Sequence, residues 1–135
     1  MASILLLEPD KQLAKSYQAA LHKAGHTVHW QTNAQSALTV LDDHAPQLVI
    51  LELHLANHNG VEFLYEMRSY PDCDHVPVVL HTMVEPEHPG LGHDFWPQLG
   101  IQEYLYKPRT TLAQLVERVN RLTLAQAAWT RAATR

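Results

Sequence analysis

The chain reads as an α/β protein, a doubly wound parallel sheet with helices on both faces, and three observations carry that expectation. Short apolar runs recur at residues 3–7 (SILLL), 27–30 (TVHW), 48–51 (LVIL), 76–80 (VPVVL) and 103–106 (EYLY). Three of the runs are almost continuously apolar, as suits strands covered on both faces. The stretches between them repeat apolar residues at helical spacing, and strands alternating with helices imply right-handed crossovers.

Taken in order, the first strand leads into a helix whose stripe is Leu13, Tyr17, Ala20, Leu21 and Ala24, with Gly25 closing it as a C′ residue. Pro9 falls where the first turn of that helix is expected, the turn that tolerates proline best. Ala34, Ala37, Leu38 and Leu41 form the second stripe, and Phe63, Leu64 and Met67 the third. Leu112, Leu115, Val116, Val119 and Leu122 form the last. The tetrapeptides 32–35 (TNAQ), 59–62 (NGVE) and 111–114 (TLAQ) each resemble a capping box, with Thr32 and Thr111 supplying the usual hydroxyl. Residues 84–100 hold three prolines and three glycines, which argues against a full regular helix and for at most a short turn around 92–99. The alanine-rich tail, 123–135, either extends the last helix or starts a linker, so the expected division is a domain over 1–122 and that tail.

Composition narrows the function classes. The 135 residues suit one domain with its own core, 46% hydrophobic and 18% charged. A net charge of −4 gives no general attraction to nucleic acid or anionic membrane, and no basic or helix-turn-helix segment stands out. Ten histidines make the charge rise by several units between pH 7 and 5. The single cysteine, Cys73, excludes an internal disulfide, reads as an exposed loop thiol, and points to a reducing, cytoplasmic setting. The amino-terminal apolar run is too short for a signal peptide or a membrane span.

In such a sheet the carboxyl ends of the strands gather at one edge. They should bring together Glu8, Glu52, Thr82 and Lys107, with Pro9 and Asp10 after the first and His54 two residues beyond Glu52. Carboxylates facing one lysine and one hydroxyl are the apparatus of phosphoryl transfer to a carboxylate. Some hold Mg²⁺ and one attacks phosphorus, while lysine and hydroxyl bind the phosphoryl oxygens.

The segments ILLLEPD, LVILELHLANHNG, PVVLHT and EYLYKP together resemble a response-regulator receiver domain over residues 3 to 122. The resemblance implies a flavodoxin-like sheet of five parallel strands, in the order 2-1-3-4-5, with five helices, the fourth made irregular here. It places Lys107 at the family's phosphoryl-binding lysine, Thr82 at its switch hydroxyl and Tyr104 at the aromatic that moves with that hydroxyl. Glu52 takes the position of the phosphoryl-accepting aspartate. Glu8 and Pro9 fall on the paired acidic residues, His54 on the metal-binding carbonyl position, and Ala56 on the usual loop proline.

The departures carry the functional expectation. Proline has no side-chain oxygen, so a magnesium site would lose a charged ligand, and binding is expected to be weak or absent. Glutamate carries its carboxylate one methylene further out, and misplacement on the order of 1 Å can cost roughly a hundredfold in rate. The expectation is therefore a non-enzymatic pseudo-receiver that signals by protein–protein contact without phosphorylation. Its alternatives are a working phosphoacceptor, with Glu8 and Asp10 holding the metal, and the amino-terminal regulatory domain of a longer transcription regulator. Two readings of Glu52 stay open: a constitutive mimic of the phosphorylated state, or a structural ion pair with Lys107. Phe95, Trp96 and Tyr104 are interface candidates on the face of the fourth helix, fifth strand and fifth helix, suited to a sensor kinase, another regulator or a second copy. Trp129, Arg118, Arg121 and Arg131 could add a strip on the last helix, a solvated face being the default. No metal site is expected, and His54, His58, His88 and His93 read as loop spectators.

Overall fold

The computed structural model describes residues 2–55, 58–87 and 99–133; the side chains of residues 58, 126 and 129–133 are outside the description. Five strands, Ser3–Leu7 (β1), Thr27–Gln31 (β2), Leu48–Leu51 (β3), Val78–Thr82 (β4) and Ile101–Tyr106 (β5), form one sheet in the order β2-β1-β3-β4-β5. Every neighbouring pair is parallel, with Leu7 opposite Gln31 and Leu51, Leu51 opposite Leu80, and Thr82 opposite Tyr106. The helices are Lys11–Lys23 (α1), Ala34–Asp43 (α2), Gly60–Arg68 (α3) and Leu112–Ala133 (α4).

Alternation along the strands sorts the core into two layers. Leu5, Leu7, Val49, Leu51, Val78 and Leu80 pack with Ala37, Leu41, Phe63 and Met67 of α2 and α3. Ile4, Leu6, Leu48, Ile50 and Val79 pack with Ala14, Tyr17 and Leu21 of α1 and with Leu115 and Val119 of α4. Because β1 and β3 are buried on both faces, their sequences are apolar throughout rather than alternating.

Local chemistry corrects several expected boundaries. Pro9 precedes α1 rather than opening it: Asp10 is the N-cap, and its carboxylate accepts from the Leu13 N–H at 3.0 Å. Asn33, not Thr32, caps α2 through Ser36 N–H at 2.9 Å. Asn33 stands in extended backbone immediately before the first helical residue, the position from which a side-chain oxygen reaches the first-turn N–H. At α4 the box is reciprocal, Gln114 N–H donating to Thr111 Oγ1 at 3.1 Å and Thr111 N–H to Gln114 Oε1 at 2.8 Å. Gly25 ends α1 at φ +98°, with Gly25 N–H bonded to His22 O and His26 N–H to Leu21 O, the six-to-one closure that favours glycine. β4 begins two residues later than expected and β5 two residues earlier. Leu13 and Leu112, placed on buried stripes, are 37% and 42% exposed, lying at the solvent margin of their helices. Cys73 is buried in a 3₁₀ turn, Pro71–Cys73, because the turn folds back under α3 rather than looping outward.

Arg68 holds the chain where it re-enters the sheet. Its guanidinium donates to Leu99 O at 2.8 and 2.9 Å and to Cys73 O at 2.9 Å, tying α3 to the turn below it and to the approach to β5. Gly100, at φ +66°, follows at once, and a Cβ there would stand 2.6 Å from the Arg68 guanidinium. The expected short turn around 92–99 lies almost wholly outside the described residues, as do Phe95 and Trp96.

Candidate functional site

Glu8 follows β1, Glu52 follows β3, Thr82 ends β4 and Lys107 follows β5, so the parallel sheet delivers all four to one edge. Lys107 Nζ donates to Glu8 Oε1 at 2.5 Å and to Glu52 Oε1 at 2.8 Å. The three side chains are 7%, 3% and 4% exposed, so one ammonium serves two buried carboxylates.

Glu52 is the most fully engaged of them. Besides Lys107, its Oε1 accepts from Met83 N–H at 3.0 Å. Its Oε2 accepts from His54 N–H at 3.1 Å and from the Thr82 hydroxyl. Burial by itself would raise the Glu52 pKa, but the hydrogen bonds from Lys107, Thr82 and His54 and the lysine charge outweigh it and hold the carboxyl below its ordinary value. Burial likewise works against a charged Lys107, and its two carboxylate partners more than compensate, raising its pKa.

Glu8 is turned toward the same lysine, and its other oxygen accepts from Asp10 N–H at 3.0 Å. Trp30 Nε1–H donates to Glu8 O at 2.9 Å, fixing the carbonyl at the end of β1. Asp10 stands apart: its carboxylate is spent on the cap of α1.

A chain of hydrogen bonds leads outward from Glu52. Thr82 Oγ1, which donates to Glu52, accepts from Val84 N–H at 3.1 Å, and Val84 O accepts from the Tyr104 hydroxyl at 2.6 Å. Burial pushes the Tyr104 pKa up to about 12, with the negative charges of Glu52 and Glu87 adding to it. The phenol therefore stays a donor across the physiological range.

The residues around Glu52 are positioned by a close approach of backbone to backbone. Gly60 opens α3 with its N–H on Leu53 O at 2.9 Å, and a Cβ there would lie 2.7 Å from Leu53 Cα and 3.0 Å from Glu52 O. A two-residue antiparallel ladder, His54–Leu55 with His58–Asn59, closes the turn between them. Gly60→Ala should therefore push the Glu52 segment aside and cost about 1–3 kcal/mol. Urea unfolding measures it, and an unchanged midpoint would refute the steric argument.

Other candidates fall elsewhere. Arg118 pairs with Glu103 at 3.0 Å and Glu117 at 3.2 Å, and Arg121 with Glu117 at 2.6 Å, so both engage neighbours on or beside α4. Two donors that sequence reasoning missed are backbone groups, Met83 N–H and His54 N–H, whose side chains give no hint of the role. A third omission is His81, buried beside Tyr17 with ring centroids 4.7 Å apart. Its apolar neighbours in PVVLHT hid it as one more strand residue. Among the described residues no group of three or more histidine, cysteine, aspartate or glutamate side chains is arranged to hold a metal ion. None of the described helices is long and apolar enough to cross a membrane.

Comparison with known proteins agrees with this fold. The sequence is 31% identical over 122 residues to the transcriptional regulatory protein QseB of Haemophilus influenzae, covering 88% of this chain and 51% of that protein. It is 30% identical over 108 residues to the transcriptional regulatory protein CpxR of Klebsiella pneumoniae, covering 80% of this chain and 44% of that one. The chain thus spans about half the length of these curated relatives. The chemotaxis response regulator CheY4 of Vibrio cholerae shares the fold at a TM-score of 0.79 and 19% identity, over 90% of this chain and 98% of that one. The model of the response regulator receiver domain matches residues 4–120, and the chain belongs to that family.

Proposed function

We propose that this receiver domain is a pseudo-receiver, a signalling module that works through protein–protein contact and is not phosphorylated. One observation carries the reading: the Glu52 carboxylate, at the acceptor position, already accepts from Lys107, Met83, His54 and Thr82. A nucleophile must present an uncommitted lone pair to phosphorus, and here both oxygens are bound and the basicity is lowered. The lysine and hydroxyl that would receive phosphoryl oxygens are instead occupied by the glutamate itself.

The same reading extends to magnesium, which the family implies and which these residues do not fit. Mg²⁺ requires near-octahedral oxygen ligation. Pro9 offers no side-chain oxygen, Asp10 caps α1, and Glu8 is held by Lys107 and by Asp10 N–H. The ammonium stands between the carboxylates where a cation would act.

Glu52 thereby serves as a built-in anion for the Thr82–Val84–Tyr104 relay, which supports the constitutive-mimic reading over an idle ion pair. Tyr104 and the face around β5 are then presented in one standing state to a protein partner, such as a sensor kinase, another regulator or a second copy. The named relatives are transcriptional regulatory proteins, and the corresponding role here is that of a regulatory input in the cytoplasm, acting on protein rather than on DNA.

Intact-mass spectrometry after incubation with Mg²⁺ and acetyl phosphate tests this directly. The wild-type chain should gain no phosphoryl adduct, and the Glu52→Asp/Pro9→Asp double variant should gain one. An adduct on the wild-type chain would overturn the proposal.

A further inference from the structure

His29 and His44 form a pair that neither the family's phosphoryl site nor the core uses. His29 sits in the middle of β2, the edge strand of the sheet, and His44 is the C-cap residue of α2, fifteen positions later. Their Nε2 atoms stand 3.4 Å apart, and the rings meet edge to face at 66°, with centroids 4.8 Å apart. His29 is half-buried and His44 exposed, so the pair opens to solvent. Two backbone elements fix the spacing: Leu5 lies opposite His29 in the ladder, and His44 N–H is held by Val40 O at 3.2 Å.

A neutral N–H···N bond between open imidazoles is worth little in water. The separation matches a different partner. Two imidazole nitrogens at about 2.0–2.1 Å from a tetrahedral zinc ion stand roughly 3.3 Å from each other. Neutral imidazole is a preferred ligand of zinc, copper and nickel. We propose that His29 and His44 form a two-histidine site for a divalent transition-metal ion, zinc in the first place, that staples β2 to the end of α2. No third histidine, cysteine or carboxylate joins the pair among the described residues, so water completes the coordination. The ion is therefore exchangeable rather than a deeply held structural zinc.

Zn²⁺ alone is the probe, titrated calorimetrically into the full chain, with thermal unfolding read in parallel. One ion should bind per chain and raise the unfolding midpoint, since a ligand that binds only the folded state stabilises it. His29→Gln and His44→Gln should each weaken binding at least tenfold, while their midpoints without zinc stay at the wild-type value, since the pair opens to solvent and its direct bond is worth little in water. Each variant keeps nine of the ten histidines. Undiminished binding in either variant would place the ion elsewhere and overturn the proposal. Failure of the wild-type chain to bind would overturn it too, leaving the pair as a hydrogen bond only.

Discussion

Lys107→Met should destabilise the fold by about 3–5 kcal/mol, the cost of leaving a buried charge without its partner. Two carboxylates would be stranded, since Glu8 and Glu52 both bond to the one ammonium and all three groups are almost wholly buried. The magnitude exceeds that of an exposed ion pair, about 0–1 kcal/mol, because the three side chains are almost wholly withdrawn from water. The variant should also reverse the pH response of this site. Without Lys107, burial and the neighbouring carboxylate would raise the Glu52 pKa above that of the unfolded chain. Folding then takes up protons, so lowering the pH from 7 toward 5 should recover stability in the variant. In the wild-type chain the Glu52 pKa is depressed, and its contribution is present above about 4.5 and lost as the pH falls through the lower folded value. Urea unfolding of both proteins at pH 7 and 5 measures cost and sign together. A loss below 1 kcal/mol would mean that the cluster is hydrated and that its geometry contributes little.

His81 should make the wild-type fold labile in mild acid. It is 4% exposed, its Nδ1 has no hydrogen-bond partner among the described residues, and its pKa is lowered from 6.5 to about 4. Burial is the main cause, the Lys107 charge adds to it, and Glu52 opposes it in part. Between about pH 6.5 and 4 the unfolded chain binds a proton that the folded chain excludes, so stability falls as the pH drops through that window. A tenfold change in proton affinity is worth about 1.4 kcal/mol, so crossing the whole window costs roughly 3 kcal/mol. His81→Leu removes the titrating ring, keeps an apolar filler beside Tyr17, and should flatten the profile above about pH 4.5. Denaturation midpoints from pH 7 to 4.5 decide it: parallel curves for variant and wild type would assign the acid loss to other groups.

These two expectations concern one neighbourhood, in which Lys107 stabilises the anions and depresses the pKa of His81. On the proposed reading, that coupling suits the site to a standing state rather than to turnover. A phosphorylation cycle needs a cation and a phosphoryl group to enter and leave. Here the lysine, the threonine hydroxyl and two backbone N–H groups already converge on an anion that belongs to the chain. A single carboxylate charge copies only part of a phosphoryl group's charge of about −1.5 to −2. On the proposed reading the copy is offset by permanence, since hydrolysis cannot remove Glu52.

The order of strands and helices is legible in the residues, because apolar periodicity and caps are local properties of the chain. So is the meeting of Glu8, Glu52, Thr82 and Lys107, since parallel strands must present their carboxyl ends at one edge. What they do on meeting is set by packing. That Lys107 bridges both carboxylates depends on the rotamers of three side chains from separate strands, and no spacing encodes it. Asp10 was available in the sequence as a spare acid, and the helix start claimed it. Met83 and His54 contribute through backbone N–H groups, which every residue but proline has, so residue identity could not point to them. Cys73 and His81 are buried by the course of the chain around them, although their neighbours in sequence read one as loop and the other as strand. His29 and His44 came together because α2 ends beside the edge strand. Local chemistry settles where elements begin and end; which side chains share a few ångströms is settled by packing between segments far apart in the chain.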